Sequence, residues 1–153
     1  MTSQYIYINE DGCKTYYKNK EMTILHREDG PAIEWVDGYK AWYTNGQSHR
    51  EDGPAIEHSN GAKNWYKHGM RHREDGPAYE GADGTKFWII NGLLHREDGP
   101  AVEVFSGGKE WWLKGVRLTK QEFLKQTAKE VVLTMDEIAA KFGIEVSKLK
   151  IAK

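Results

Sequence analysis

The chain has one cysteine and no long hydrophobic run, and each scarcity excludes a class of protein. A single cysteine, Cys13, cannot form a disulfide within the chain, which favours a reducing compartment. No apolar stretch approaches the roughly 18 residues that a membrane-spanning helix needs. The first residues include neither a basic segment nor an apolar one, so we expect no signal peptide. These observations predict a cytoplasmic protein with no membrane partner.

Net charge is also scarce, since 22 basic and 23 acidic residues leave a balance of −1. Proteins that bind nucleic acid or anionic membranes mainly through electrostatics have a clear positive excess. The charge of the whole chain therefore supports neither partner. Aromatic residues are plentiful by contrast, with 6 Trp and 8 Tyr, and most of them belong to a sequence repeat.

The string HREDGPA occurs four times at a fixed interval of 23 residues, beginning at His26, His49, His72 and His95. A period of 20–50 residues is typical of stacked arrays rather than of a conventional globular core. Beyond the string, each unit continues as x-E-x-x-x-G-x-K-x-W-x-x-x-G-x-x. We predict a repeat array over 1–117 and a helical segment over 118–153; the array has a partial repeat over 5–25 and full repeats over 26–48, 49–71, 72–94 and 95–117.

Each unit has two turn signals with strand-forming residues between them. In the first full repeat these are Asp37-Gly38 and Asn45-Gly46, dipeptides that accept the positive φ of tight hairpin turns. The proline of each string lacks a backbone donor and marks a loop or the start of a strand. We predict a strand, a turn, a second strand through the tryptophan and a tight return, which gives about ten short strands. The fold class is mainly β, an elongated meander or solenoid of hairpins with a small C-terminal helical cap.

The repeated polar residues predict a structural framework rather than a metal or catalytic site. Equivalent residues of adjacent hairpins lie two strands, or ~10 Å, apart. Ligands of one zinc ion, by contrast, each lie ~2.0–2.2 Å from the metal. The sequence contains no nucleophile–base pair and no phosphate-binding loop. We therefore expect no metal, no cofactor and no enzymatic activity.

In the framework, each arginine pairs with a carboxylate of its own or the next unit. Glu34 and Lys40 fall opposite each other if the turn is a three-residue loop with left-handed Gly38, and a cross-strand ion pair is expected there. The tryptophans form a stripe that is either a packed core or a groove for an extended ligand. The framework residues are His26, Arg27, His49, Arg50, His72, Arg73, His95, Arg96, Trp42, Trp65, Trp88 and Trp111.

The positions that vary between units are the candidates for recognition, because a framework holds the structure while varied positions can adapt to a partner. Several of them mix aromatic with small side chains. Open faces and edges of such arrays also favour self-association, so a homodimer is consistent with the pattern. The predicted protein-binding surface contains Trp35, Tyr43, His58, Tyr66, Ile89 and Trp112.

After Leu118 the pattern changes from strand to helix. Thr119 and Glu122 form a capping box that opens an amphipathic helix to about Val132, and a second capping box begins at Thr134. About 36 residues are too few for an extensive core of their own. The segment is therefore expected to pack on the last hairpin as a cap.

The stretch MDEIAAKFGIEVSKLKI within this segment is similar to a helix-turn-helix. The resemblance rests on the spacing of Ala139, Gly143 and Leu149, since small residues let two helices cross closely and glycine makes the turn. It implies that a third helix enters the major groove of DNA. The DNA-contacting residues would then be Ser147, Lys148 and Lys150.

The spacing and turn chemistry of residues 5–117 resemble the MORN repeat and its YwqK-type bacterial variant. This resemblance implies an array of β-hairpins. HRED stands where the MORN pattern has H-G-x-G, so no particular partner is implied. The HREDGPA strings are also similar to those of uncharacterised phage proteins, which implies a phage-encoded modulator or inhibitor of a host protein, such as a defence protein.

Two functional hypotheses follow. The first is a non-enzymatic scaffold that binds a macromolecule, most simply a protein, in the host cytoplasm. The alternative is a DNA-binding regulator that uses the helix-turn-helix-like segment.

Overall fold

Consecutive antiparallel hairpins build one long sheet. The computed structural model describes residues 4–128 together with Ala140, Gly143 and Glu145. Eleven strands of this part pair in sequence as a single antiparallel meander. At ~4.8 Å per strand, the sheet extends about 50 Å along its hydrogen-bonding direction.

The strands are short and follow the repeats. The partial repeat forms β1 (Tyr5–Ile8) and β2 (Lys14–Tyr17). The first full repeat forms β3 (Ile33–Glu34), β4 (Lys40–Ala41), β5 (Tyr43–Thr44) and β6 (Gln47–Ser48). The second forms β7 (Ile56–Glu57), β8 (Lys63–Asn64), β9 (Tyr66–Lys67) and β10 (Met70–Arg71). The third forms β11 (Tyr79–Glu80), β12 (Lys86–Phe87), β13 (Ile89–Ile90) and β14 (Leu93–Leu94). The fourth forms β15 (Val102–Glu103), β16 (Lys109–Leu113) and β17 (Val116–Leu118).

The first three full repeats each contain two hairpins rather than one hairpin and a return. The long sheet has the order β1-β2-β3-β4-β7-β8-β11-β12-β15-β16-β17, while β5-β6, β9-β10 and β13-β14 form separate two-stranded hairpins. The strand predicted to run through the tryptophan changes partner at that residue. The N–H of Trp42 donates to Ala55 O of the next repeat at 2.7 Å, and its carbonyl accepts from His49 N–H at 3.1 Å.

The first hairpin of each repeat has the predicted three-residue turn. In the first full repeat, Trp35 N–H donates to Tyr39 O at 2.9 Å and Gly38 N–H donates to Trp35 O at 3.1 Å. Gly38 has a φ of 95°, which a residue without a Cβ adopts readily. The resulting register places Glu34 opposite Lys40, as predicted.

This register sorts the side chains of the sheet onto two faces, because directly opposed residues share a face and successive residues alternate. We call one the framework face; its central row alternates in charge and comprises Glu34, Lys40, Glu57, Lys63, Glu80, Lys86, Glu103 and Lys109. We call the other the variable face; its central row comprises Ile33, Ala41, Ile56, Asn64, Tyr79, Phe87, Val102 and Glu110.

The array has little conventional core. The alanines of the four HREDGPA strings are 0% exposed, whereas no large side chain of the described part is fully buried. Among the described residues, alanine is the largest that is completely buried. Much of the packing must therefore come from aromatic and polar side chains at the junctions between repeats.

The C-terminal cap begins as predicted. Helix α1 (Lys120–Thr127) starts at the N-cap Thr119, whose hydroxyl accepts from Glu122 N–H while the Glu122 carboxylate accepts from Thr119 N–H. Phe123 is 2% exposed, and α1 contacts the last hairpin, β16 and β17. The helix ends at Thr127, before the predicted end near Val132, because Ala128 has an extended ψ of 112°.

Most of the helix-turn-helix-like segment lies outside the described residues. Of the residues on which that resemblance rests, only Gly143 is described in detail, with a φ of 64°. No helix in the part of the chain described here is both long and apolar enough to cross a membrane.

The second hairpins provide a test of the turn chemistry. Lys114 has a φ of 49° and is followed by Gly115 at 79°, the geometry of the type I′ turn that Asn91-Gly92 also adopts. Asparagine tolerates this conformation better than lysine. We expect Lys114→Asn to raise the free energy of unfolding by about 0.5 kcal/mol, measured by chemical denaturation.

The matched control is Lys67→Asn, which removes the same charge from an exposed strand position without positive φ. It should leave stability unchanged or slightly lower it, because asparagine is a poor strand former. Equal effects of the two substitutions would contradict the assignment of the gain to the turn.

Candidate functional site

On the framework face, each HREDGPA arginine forms the junction between two repeats. The guanidinium carbon of Arg73 lies 4.2 Å from the ring centroid of Trp65 in the preceding repeat. Its Nε donates to Asp75 at 2.8 Å, and its Nη1 donates to the carbonyl of Pro77 at 3.4 Å and to Glu80 at 3.2 Å. The same contacts recur for Arg50 and Arg96, with ring distances of 4.0 and 3.9 Å.

Each framework glutamate therefore binds the arginine of its own repeat, a partner that the strand register alone did not reveal. Glu34 accepts from Arg27 on its own repeat. The predicted ion pair of Glu34 with Lys40 is wrong, since the arginine bonds the carboxylate and no oxygen of Glu34 lies within 4.0 Å of the lysine ammonium. Arg27 has the geometry of the other junctions, with its guanidinium 4.0 Å from the ring of Tyr16 in place of a tryptophan.

The glycine of the string leaves room for this arginine. A Cβ built on Gly76 would lie 2.9 Å from the guanidinium carbon of Arg73, closer than real Cβ contacts come. The glycines of the other three strings are in the same position, with separations of 3.0 to 3.1 Å. Glycine at this place leaves space for the guanidinium, and its φ does not lie in the left-handed region.

The repeated histidines also have a structural role. Nδ1 of His95 accepts from the N–H of Lys114, the first left-handed residue of the second hairpin turn, at 3.1 Å. The same bond links His26 to Asn45 at 3.1 Å and His49 to His68 at 3.3 Å. The string thus fixes the second hairpin through histidine and the preceding repeat through arginine.

At both ends of the array, a different residue takes part in the contact between a cation and an aromatic ring. Tyr16 substitutes for tryptophan at the first junction and is 8% exposed. No fifth string follows Trp111, but Lys120 of α1 places its ammonium 5.9 Å from that ring. The helix therefore brings a cation near the last tryptophan, at a longer distance than the arginines of the other junctions.

On the variable face, side chains from different repeats form one aromatic cluster. The Trp35 and Tyr39 rings lie 4.6 Å apart, and Tyr39 meets His58 edge-on at 5.6 Å. Partial burial, together with neighbouring Tyr43 and Tyr66, raises the pKa of the Tyr39 hydroxyl. The cluster is thus partly desolvated while Trp35 remains 49% exposed.

The cluster continues into the third repeat. Asn64 lies 3.1 Å from His58 through its amide nitrogen and is 2% exposed, with no described hydrogen-bond partner for its amide oxygen. Opposite Asn64 lies Tyr79, which stacks on Phe87 at 5.1 Å. Arg71 lies near Tyr79, with its guanidinium carbon 5.6 Å from the ring centroid.

Four of the six residues predicted to form a recognition surface lie in or beside this cluster: Trp35, Tyr43, His58 and Tyr66. The other two are placed differently. Ile89 is only 6% exposed, so its side chain packs within the sheet. Trp112 is half-buried in the last repeat, where its ring N–H donates to Glu110 at 2.9 Å.

Sequence reasoning missed Tyr39, Asn64, Arg71 and Tyr79. Each varies between repeats, so a signal was present. Their grouping was not visible, because it requires the register that sets Asn64 against Tyr79 and the second hairpin that brings Arg71 to the same face. The predicted DNA-contacting residues Ser147, Lys148 and Lys150 lie outside the described residues. Across residues 4–128 and the three described beyond them, no group of three His, Cys, Asp or Glu side chains is arranged to hold a metal ion.

The arginine junction predicts a specific coupling between two residues. Arg73→Ala removes the ring stack and the three hydrogen bonds, and we expect it to cost about 3 kcal/mol. Gly76→Ala should cost ~1–2 kcal/mol alone, because the new methyl group displaces the guanidinium. In the Arg73→Ala background the same change should be neutral, since the obstructed group is absent. Equilibrium denaturation of the four proteins measures the cycle, and additive effects would contradict the proposed packing.

The same junction predicts acid sensitivity. The hydrogen bond from arginine holds the pKa of Asp29, Asp52, Asp75 and Asp98 below the ordinary value. A carboxyl with a lowered folded-state pKa contributes stability above its unfolded pKa of ~3.9, and that contribution disappears as pH falls through the folded value. We expect stability to fall below about pH 4. Asp75→Asn should flatten this dependence in denaturation series at stepwise pH; an unchanged slope would contradict it.

The comparisons with known proteins add no relative: no family model matches the chain, and no curated protein matches it. The chain is therefore characterised by its structure. It consists of β-hairpin units of about 23 residues in one long antiparallel sheet, with an Arg–Glu bridge recurring at each interval.

Proposed function

We propose that the chain is a MORN-like repeat scaffold without enzymatic activity that binds a protein through its variable face. The observation that carries the proposal is that the two faces of the sheet contain different kinds of residue. The repeated Arg, His, Asp and framework Glu side chains bond one another or the backbone, so they are occupied in holding the array. The varied aromatic side chains lie on the opposite face and are only partly covered.

The chemistry of the variable face suits a protein partner. Aromatic residues and arginine are enriched at protein interfaces, where they provide large contact areas with few rotatable bonds. The cluster from Trp35 to Phe87 contains these residue types across three repeats. A sheet supported by the junctions behind it holds such side chains in fixed positions, which lowers the entropic cost of binding.

The HREDGPA strings favour a particular biological setting. Their resemblance to strings in phage proteins supports a phage-encoded modulator or inhibitor acting on a host protein, such as a defence protein, in the host cytoplasm. On this proposal the repeats supply a rigid surface, and the varied positions determine which host protein is bound.

The test substitutes residues that occur at the equivalent positions of other repeats. Trp35→Val and Tyr66→Ile introduce the residues found at the same repeat positions, Val104 and Ile89, so the fold should be retained. We expect the tagged chain to enrich one protein from nuclease-treated bacterial lysate, identified by mass spectrometry, and the double variant to reduce that enrichment at least tenfold, or ~1.4 kcal/mol.

The matched control is the double variant Lys40→Gln and Lys63→Gln on the framework face, which should capture the same protein as the unmodified chain. Undiminished capture by the variable-face variant would contradict the proposal. Recovery of DNA alone, without nuclease, and its loss on truncation after Ala128 would favour the DNA-binding alternative instead.

A further inference from the structure

Arg71 differs from every other arginine of this chain. The sequence has six arginines, all in the described part. Five of them form ion pairs with carboxylates: Arg27, Arg50, Arg73, Arg96 and Arg117. No described carboxylate lies within 4.0 Å of Arg71.

The surroundings of Arg71 leave its outer nitrogens available. Its Nε donates to the Tyr66 hydroxyl at 3.1 Å, and its guanidinium carbon lies 5.8 Å from the Tyr66 ring and 5.6 Å from the Tyr79 ring. Neither Nη group bonds a described residue. A half-buried guanidinium has lost some of its hydrogen bonds to water. An anion that binds both Nη groups in a bidentate geometry would replace those hydrogen bonds.

The charges nearby indicate which anion fits. Within the part of the chain that the structure describes, Arg71 is the one Lys or Arg side chain that lies against the rings of Tyr66 and Tyr79. Arg117, farther along the array, pairs with Glu110 at 2.9 Å. Nucleic acid binding requires several phosphate contacts from a basic surface, which this face does not offer. One cation between aromatic rings instead matches one carboxylate next to an aromatic or apolar side chain.

We propose that Arg71, held beside Tyr66 and Tyr79, binds a carboxylate of an acidic, aromatic-containing protein segment that lies across the second and third repeats. The inference rests on the proposed function and specifies its partner. The acidic side chain pairs with the outer nitrogens of Arg71, and the neighbouring aromatic side chain packs on the cluster that includes Tyr39 and His58.

The repeats supply the matched variants. The residues at the position of Arg71 in the other full repeats are Ser48, Leu94 and Arg117. Arg71→Leu therefore introduces a side chain that the array holds one repeat later. Arg117→Leu removes an arginine from the equivalent position where it already has a carboxylate, and serves as the control.

The experiment is a titration of the full-length ¹⁵N-labelled chain, followed by NMR, with the peptide acetyl-Glu-Phe-Glu-amide and its counterpart acetyl-Gln-Phe-Gln-amide. We expect the glutamate peptide to shift the Arg71 Nε–H resonance and to bind at least tenfold more tightly than the glutamine peptide. Arg71→Leu should abolish that preference, and Arg117→Leu should preserve it. Thermal melts of both variants verify folding.

Equal affinity for the two peptides, or an unchanged preference in Arg71→Leu, would overturn the inference. So would a shift of Arg71 by inorganic phosphate or a DNA duplex without one by the glutamate peptide. The lysate capture separates this failure from that of the proposed function. If Trp35→Val with Tyr66→Ile loses the captured protein while Arg71→Leu retains it, the inference fails and the proposed function stands.

Discussion

The arginine of each HREDGPA string lies on an aromatic ring of the preceding repeat while its N–H groups bind two carboxylates and a carbonyl of its own repeat. The rest of the structure depends on this contact because the array has few buried side chains larger than alanine. A guanidinium can hold such a junction because it combines a flat surface for stacking with several donors in one plane. Several letters of the string follow from this single group: the aspartate accepts from it, the glycine leaves it space, and the proline offers its carbonyl. The glutamate of the string lies beside the histidine instead, and the second acid that binds the arginine is the framework glutamate.

The junctions lie on the framework face, and the residues of the variable face are the ones that differ between repeats. The framework residues hold neighbouring repeats together from one side. Tyr79, Ile33 and Ile56 occupy equivalent places in the sheet, and each is accommodated. The variation therefore accumulates on the variable face, where the aromatic cluster with Arg71 lies. The two ends differ from the repeats between them: Tyr16 takes the place of tryptophan at the first junction, and Lys120 of the helix lies near Trp111 at the last.

The sequence allowed the local features to be predicted and left the contacts between repeats open. The Gly38 turn, the register of Glu34 with Lys40 and the Thr119 capping box depend on residues a few positions apart, and all are confirmed. The stacking of Arg73 on Trp65 depends on how one repeat sits against the next, which no local rule determines. For the same reason the register suggested the wrong partner for Glu34, and the burial of Ile89 could not be foreseen from its variability. The grouping of Tyr66, Arg71 and Tyr79 required both the sheet register and the second hairpin.

The ¹H–¹⁵N spectrum of the arginine side chains, recorded with hydrogen exchange on the unmodified chain, tests the central claim most directly. If the junctions hold the array, the four Nε–H groups of Arg27, Arg50, Arg73 and Arg96 will exchange slowly with water. Their resonances will also be shifted by the rings 3.9 to 4.2 Å away. Six arginine signals that exchange as fast as in the denatured chain, without ring-induced shifts, would contradict the account.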